Sequence, residues 1–211
     1  NKGIKLREYV HNILNDIYNS NKSIDILLNE YQIYKFEKRD IGFINNLCLN
    51  SMRYSFHAKK IILIYAKKNP GFHERILLIS AITQIVFLNF KEYAVINSTV
   101  ELAKIKKKSH GFINAILKKI SADKEKLKKI EIEYSEFPHW FKSYTNNLNK
   151  REKSLFINEF NKQPNLHLVF KNKKFLSSIK EKIITTSKQS GFFLTNKKIE
   201  EISCYKNGNW W

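Results

Sequence analysis

Two short helical patterns, set back to back across a lysine-rich hinge, constrain this chain more than any other feature. In residues 93–104, Val95, Val100, Leu102 and Ala103 recur at near-helical spacing. In residues 109–120, Phe112, Ile113, Ile116, Leu117 and Ile120 form an apolar stripe at i, i+1, i+4, i+5 and i+8. Between them lies Lys104-Ile-Lys-Lys-Lys108. The same periodicity runs upstream. Leu6, Val10, Ile13, Leu14 and Ile17 predict a first helix. After a polar break at 19–23, Ser23 is placed to N-cap a second helix carrying Ile24, Leu27, Leu28 and Tyr31. Asp40 is placed to cap a third, with Ile41, Ile44, Leu47 and Cys48 facing inward. A short helix over 59–67 ends before Asn69-Pro70-Gly71, the clearest turn signal in the chain. Residues 74–89 read as a buried helix, which makes about seven helices before Ser121.

Beyond that point the pattern changes. Residues 123–133 are charged and helix-prone, and read as a linker or a solvated helix. Pro138-His-Trp140 marks a new start, with helical patterns over 140–148 and 151–161. Residues 165–170 alternate as a strand should, and 191–195 read as a second strand. Between them, 173–187 reads as an amphipathic helix bearing Phe175, Leu176, Ile179, Ile183 and Ile184. The close on Trp210-Trp211 reads as a module that continues rather than one that finishes. The expected fold class is mainly α: an all-helical bundle over 1–122, a charged linker over 123–137 and a small α+β module over 138–211.

The 211 residues carry a net charge of +19, which points to a polyanionic partner. Lysine outnumbers arginine 33 to 5, however, a bias that an AT-rich genome imposes on any protein. The charge is also even: 21 basic and 11 acidic groups over 1–125, 17 and 8 over the rest, so neither half is a basic tail. The longest apolar run, 76–90, is too short and too polar to span a bilayer, and the N-terminus lacks a signal peptide's apolar stretch. Cys48 and Cys204 have no metal spacing and read as cytosolic thiols, which places the chain in the cytoplasm.

Catalytic chemistry is not visible. The six glycines are scattered, so there is no Gly-rich phosphate or dinucleotide turn. Cys48 sits on an apolar helical face, where burial raises a thiol's pKa, and Cys204 has no adjacent base. His110 precedes a helix and reads as a cap or packing residue. No catalytic residue, metal site or cofactor site is expected, and binding remains. Lys104, Lys106, Lys107 and Lys108, with Lys118 and Lys119, form a basic cluster. It reads either as a solvated lysine face or as a surface for phosphates. Arg53 ends an apolar helix and reads as a hydrogen-bonding cap. Trp140, Phe141 and Tyr144 have helical spacing and read as core.

Several segments, in order and at compatible spacing, resemble the RsmB/Sun family of bacterial ribosomal RNA cytosine methyltransferases. They are Asp40 with Leu47 and Arg53; Leu77, Leu78 and Gln84; residues 95–104 and 111–118; Pro138-His-Trp140-Phe141; Gln163-Pro164-Asn165-Leu-His-Leu168; and residues 205–211. The resemblance spans nearly the whole chain. The 93–119 helix pair is similar to the last two helices of NusB-like RNA-binding domains. Lys118 and His167 stand where the family has arginine, so a bidentate fork becomes a point charge or a neutral ring. The resemblance implies a NusB-like RNA-binding domain, then a module preceding a catalytic domain absent from these residues. It implies ribosomal RNA as partner, a monomer, and S-adenosylmethionine as cofactor of the full-length parent, a transferase in rRNA processing. Because NusB-like domains often use their first helix, it adds Lys5 and Arg7 as candidate RNA contacts. A free-standing NusB-type antitermination factor is the alternative, and a helical adaptor a third; the residues after 125 favour the methyltransferase.

Overall fold

In the computed structural model, residues 2–20, 22–160, 162, 164–195 and 198–211 are described. The polar break at 19–23, the expected helix end at 161 and the Gln163 match each include a residue outside that set. The chain divides into two compact units, Asn1–Asn161 and Lys162–Trp211.

The first unit is helical. Its elements are α1 (Lys2–Asn19), α2 (Ile24–Glu30), α3 (Lys38–Arg53), α4 (Ser55–Tyr65), α5 (Phe72–Ile82), α6 (Glu92–Ile105), α7 (His110–Ala122), α8 (Lys124–Leu127), α9 (His139–Tyr144) and α10 (Lys150–Phe160). The seven expected helices up to Ala122 are all present. The Ser23 side chain accepts from Ile26 N as an N-cap should. Asp40 is not a cap. It lies one turn inside α3, whose N-cap is Glu37, and its carboxylate sits 2.9 Å from Lys2 Nζ. There it complements the positive end of the helix rather than closing it.

α5 is the hub, packing against α1, α3, α4, α6 and α7. Every residue from Ile76 to Val86 is buried, so this helix has no solvent face to keep polar. On one side Val10, Ile13, Leu14, Leu27, Ile44, Leu47 and Ile76 close a core. On the other, Ile61, Leu78, Ile82, Val95, Leu102, Ile113 and Leu117 close a second. Each such burial is worth about 1.5–3 kcal/mol. α5 does not end cleanly. It widens into a π turn, Thr83–Phe87, in which Leu88 N donates to Thr83 O at 3.0 Å. Thr83 Oγ1 turns back to Ile79 O at 2.8 Å, the kind of bond that bends a helix. The extra residue aims Gln84 into the interior, 1% exposed.

Residues 123–137 are expected as a linker, and here they pack. Leu127, Ile132 and Phe137 are buried. Lys60 Nζ on α4 donates to Glu131 O and Glu136 Oε2, both at 2.9 Å. Phe137 meets Phe56, Phe141, Phe156 and Phe160 in one aromatic cluster. Residues 138–160 thereby join the helical unit, so the compact units part near 161 rather than across 123–137. Trp140 and Tyr144, expected in the core, are 64% and 82% exposed; only Phe141 of that trio turns inward.

The second unit holds β1 (His167–Val169), α11 (Lys173–Ser178), β2 (Ile184–Ser187) and β3 (Ser190–Phe192), in one antiparallel sheet of order β1-β3-β2. The helix expected over 173–187 stops at Ser178. The run Ile183-Ile184-Thr185-Thr186 is β-branched and goes into a strand instead. Gly191 is required at the centre of β3, because a Cβ there would lie 2.7 Å from Ile184 O. Leu168, Phe170, Phe193 and Ile202 form this unit's core. Residue 211 pairs with β1 through Val169 N to Trp211 O at 2.8 Å and Trp211 N to Val169 O at 3.0 Å.

Candidate nucleic-acid interface

The turn from α6 to α7 is a Schellman motif. Lys108 N donates to Ala103 O at 2.8 Å and Lys107 N to Lys104 O at 3.0 Å. Lys107 takes the left-handed position, φ 52°, that glycine usually fills. This reversal brings Lys106, Lys107 and Lys108 to one end of the seam between α1 and α6. Lys106 Nζ crosses the seam, 3.1 Å from Glu8 Oε1, and donates to Asn12 Oδ1 at 2.9 Å. It is a structural tie between the two helices as much as a free cation. Lys104 pairs with Glu101 at 2.6 Å, an exposed pair of small worth. Lys107 is exposed and Lys108 half-buried, and among the described residues neither has a carboxylate partner.

Lys5 is exposed and, among the described residues, unpaired; it shares a stripe of α1 with Glu8 and Asn12. Arg7 is half-buried. Its Nε donates to Gln84 Oε1 at 2.9 Å, its Nη1 donates to Gly3 O at 3.2 Å, and its guanidinium lies 5.4 Å from the Phe43 ring centroid. Burial lowers its pKa, yet a guanidinium stays protonated in proteins. Gln84 is held in turn, its Nε2 donating to Ser80 O at 3.1 Å. Gly3 and Arg7 face residues 93–101 while Glu8 and Asn12 face Lys106, so α1 and α6 run in the same direction.

The structure thus gathers Arg7, Lys104, Lys106, Lys107 and Lys108 along the α1–α6 seam, with Lys5 on the exposed side of α1, on the stripe that leads to Glu8 and Asn12. It leaves out Lys118 and Lys119. Both are exposed on α7, about 14 Å along its axis from the turn at Ser109. Arg53 donates to Asn50 Oδ1 within its own helix at 2.9 Å.

The upstream end of the seam opens into a cavity of about 540 Å³, lined by Gly3, Arg7, Tyr93, Asn97, Ser98 and Glu101 among others. Tyr93, Asn97, Glu101 and Lys104 form the exposed edge of α6 at i, i+4, i+8 and i+11. That polar stripe is present in the sequence, but what it borders is not. Gln84, buried 77 residues from Arg7, gave no sequence signal beyond its place in the family pattern. A second cavity, about 520 Å³, mixes Lys150 and Lys153 with Glu131 and Glu133 and carries no single sign of charge.

Beneath the lysine turn lies His11, 3% exposed, with Nδ1 unpartnered among the described residues. Burial above all, then the charges of Lys106, His73 and Lys108, push its pKa down to about 4. The imidazole is therefore neutral at pH 7 and adds nothing to the positive field. Cys48 is fully buried on α3, and desolvation pushes its thiol up to about 12, far from a nucleophile's range. His110 is exposed at the start of α7. No group of three or more potential metal ligands occurs among the described residues. No described helix is long and apolar enough to cross a membrane. The described elements do not fit a seat for S-adenosylmethionine: the sheet is antiparallel and short, with no strand leading through a Gly-rich turn into a helix.

The family model described as NusB family matches residues 4–122. Probable ribosomal RNA small subunit methyltransferase B of Coxiella burnetii (strain RSA 493 / Nine Mile phase I) is 32% identical over 114 residues. That match covers 49% of this chain and 26% of the relative, so it spans about a quarter of the relative's length.

Proposed function

The chain belongs to the NusB family, and on that premise we propose that it binds structured small-subunit ribosomal RNA, chiefly through phosphate contacts along the α1–α6 seam. In this reading it is the RNA-recognition part of an S-adenosylmethionine-dependent ribosomal RNA cytosine-5 methyltransferase of the cytoplasm. Residues 1–122 serve as the RNA-binding domain, 123–160 pack on it as part of the same helical unit, and the second unit belongs to the module preceding the catalytic domain. The chain acts as a monomer, and the cofactor belongs to that further domain. The observation that carries the reading is a seam of five cations flanked by Lys5, in which Lys5, Lys107 and Lys108 have no carboxylate among the described residues to neutralise them. Residues 123–211, which continue well past the family match, favour this role over that of a free-standing antitermination factor.

The test is salt dependence. Each phosphate neutralised adds about 0.7–0.9 to the slope of log affinity against log salt. Lys5, Lys107 and Lys108 changed together to Gln are expected to lower that slope by about two units and weaken binding to all ribosomal RNA fragments alike. Lys180, Lys182 and Lys188 changed to Gln serve as the control. Lys106 is left alone because its tie to Glu8 and Asn12 would mix stability with binding. Equal losses from the two triple variants would reduce the seam to a solvated lysine face.

A further inference from the structure

We propose that the cavity between α1 and α6 takes one unpaired nucleotide of the bound RNA, its phosphate on Arg7 and its base against the Tyr93 ring, with the base edge at Asn97. This rests on the RNA-binding reading above and names the part of the RNA that the site selects.

Arg7 supplies the first reason. A guanidinium drawn half out of water usually recovers its lost hydration from a carboxylate. Here the partners are a carboxamide oxygen, a backbone carbonyl and an aromatic face, all neutral. Two of its five N–H donors are used in these bonds. Among the described residues the remaining donors, and the whole positive charge, are left for a group in the cavity that Arg7 lines. A phosphate oxygen matches that fork in charge and geometry.

Tyr93 supplies the second. Its ring is 78% exposed at the cavity edge, and among the described residues it makes no ring contact or hydrogen bond. An aromatic face left in water beside a cation is the arrangement on which single-stranded bases stack. Asn97 lies one turn along the same edge, its carboxamide unpartnered among the described residues. It offers both a donor and an acceptor, which a base edge can use. The volume of about 540 Å³ lies within the ordinary range for small-ligand sites. Glu101, the acidic group in the lining, is already paired with Lys104. A paired base is stacked inside its helix and cannot enter, so the occupant comes from a loop, bulge or free end.

Gln84 acts as a positioning residue. The π turn brings it inward, Ser80 O holds its amide nitrogen, and its oxygen is thereby aimed at Arg7 Nε. A neutral holder fixes the guanidinium without cancelling its charge.

The experiment uses the whole chain and two RNAs of equal length and charge, a hairpin with an unpaired loop and a full duplex, followed by fluorescence anisotropy. Tyr93→Ala is expected to weaken loop binding about tenfold, the usual effect of losing one stacked base, and to leave the duplex unchanged. Asn97→Ala moves in the same direction. Gln84→Glu gives Arg7 a counter-charge, so loop affinity falls and its salt slope drops by about one unit, with the thermal melt checking the fold. Tyr34→Ala, an exposed tyrosine elsewhere, is the control and leaves both RNAs unaffected. Equal weakening of both RNAs by Tyr93→Ala, or no effect on either, overturns the pocket. If the seam lysine variant still lowers affinity while Tyr93→Ala does not, the pocket alone falls. If the native chain binds neither RNA, both readings fall.

Discussion

Phe137→Ala tests whether residues 138–160 are an integral part of the helical unit. Phe137 is 4% exposed. Its ring centroid lies 5.0 Å from Phe56 on α4, 5.1 Å from Phe141 on α9 and 5.3 Å from Phe160 on α10. It is one of the side chains through which α4 meets the later helices, beside the direct Phe56–Phe160 contact. Burying a phenylalanine removes about 150–200 Å² from water, worth roughly 4 kcal/mol at 25 cal per Å². Truncation to alanine in a core that cannot collapse costs about 3–5 kcal/mol, the same range. In a unit of this size each kcal/mol shifts Tm by about 2–4 °C, so a drop of roughly 6–20 °C is expected. Far-UV circular dichroism follows the helices together, and Trp140 fluorescence, read in a Trp210→Phe, Trp211→Phe background, follows α9. Both signals should shift together if the unit is cooperative. A main helical transition that stays within about 2 °C, with only the Trp140 signal melting early, would show that 138–160 fold apart from the bundle. The aromatic cluster would then be a surface contact rather than a core.

Two further outcomes follow from local features. Lys107 holds φ 52° at the Schellman position, so Lys107→Gly is expected to raise stability by about 1 kcal/mol, read as a higher urea midpoint; a lower midpoint would mean that the lysine side chain stabilises the turn more than its backbone strains it. His11 is held near 4 when folded against 6.5 as a free group, so protonation favours the unfolded chain. Its stability contribution is whole above pH 6.5 and lost progressively as pH falls toward 4, by up to about 3 kcal/mol. His11→Leu should flatten the urea midpoint across that window, apart from a smaller slope left by His57, whose pKa burial also lowers; an unchanged profile would show that His11 is not the titrating group.

The apolar periodicity of this chain was enough to place its helices. Leu6, Val10, Ile13 and Leu14 in α1, or Ile113, Ile116, Leu117 and Ile120 in α7, are buried as their spacing requires. A helix repeats every 3.6 residues, so the buried face is written in one dimension. The alternation at 165–170 and the Gly191 strand were legible for the same reason. Two segments were misread where local signals compete. The 173–187 stretch fits a helical stripe, but its β-branched half pairs with β3 instead. Leu127, Ile132 and Phe137 follow no period, so residues 123–137 looked like a linker until Phe56 and Lys60 supplied partners. Trp140 and Tyr144 had core spacing but stay mostly exposed among the described residues, Trp140 meeting only the edge of Phe141 among their rings.

The candidate site divides in the same way. Its cations were visible as residue types, and the hinge that carries three of them was visible as a break between helices. Their condition was not. Lys106 is engaged because Asn12, 94 residues away, lies across the seam. Arg7 is fixed because the π turn presents Gln84. Lys118 and Lys119 fall outside the cluster because α7 carries them away from the turn. Helical periodicity is a property of neighbours along the chain, whereas the partner of a charge is whichever group packing brings within about 4 Å. The first can be read from the sequence; the second is settled only when α1, α5 and α6 pack together.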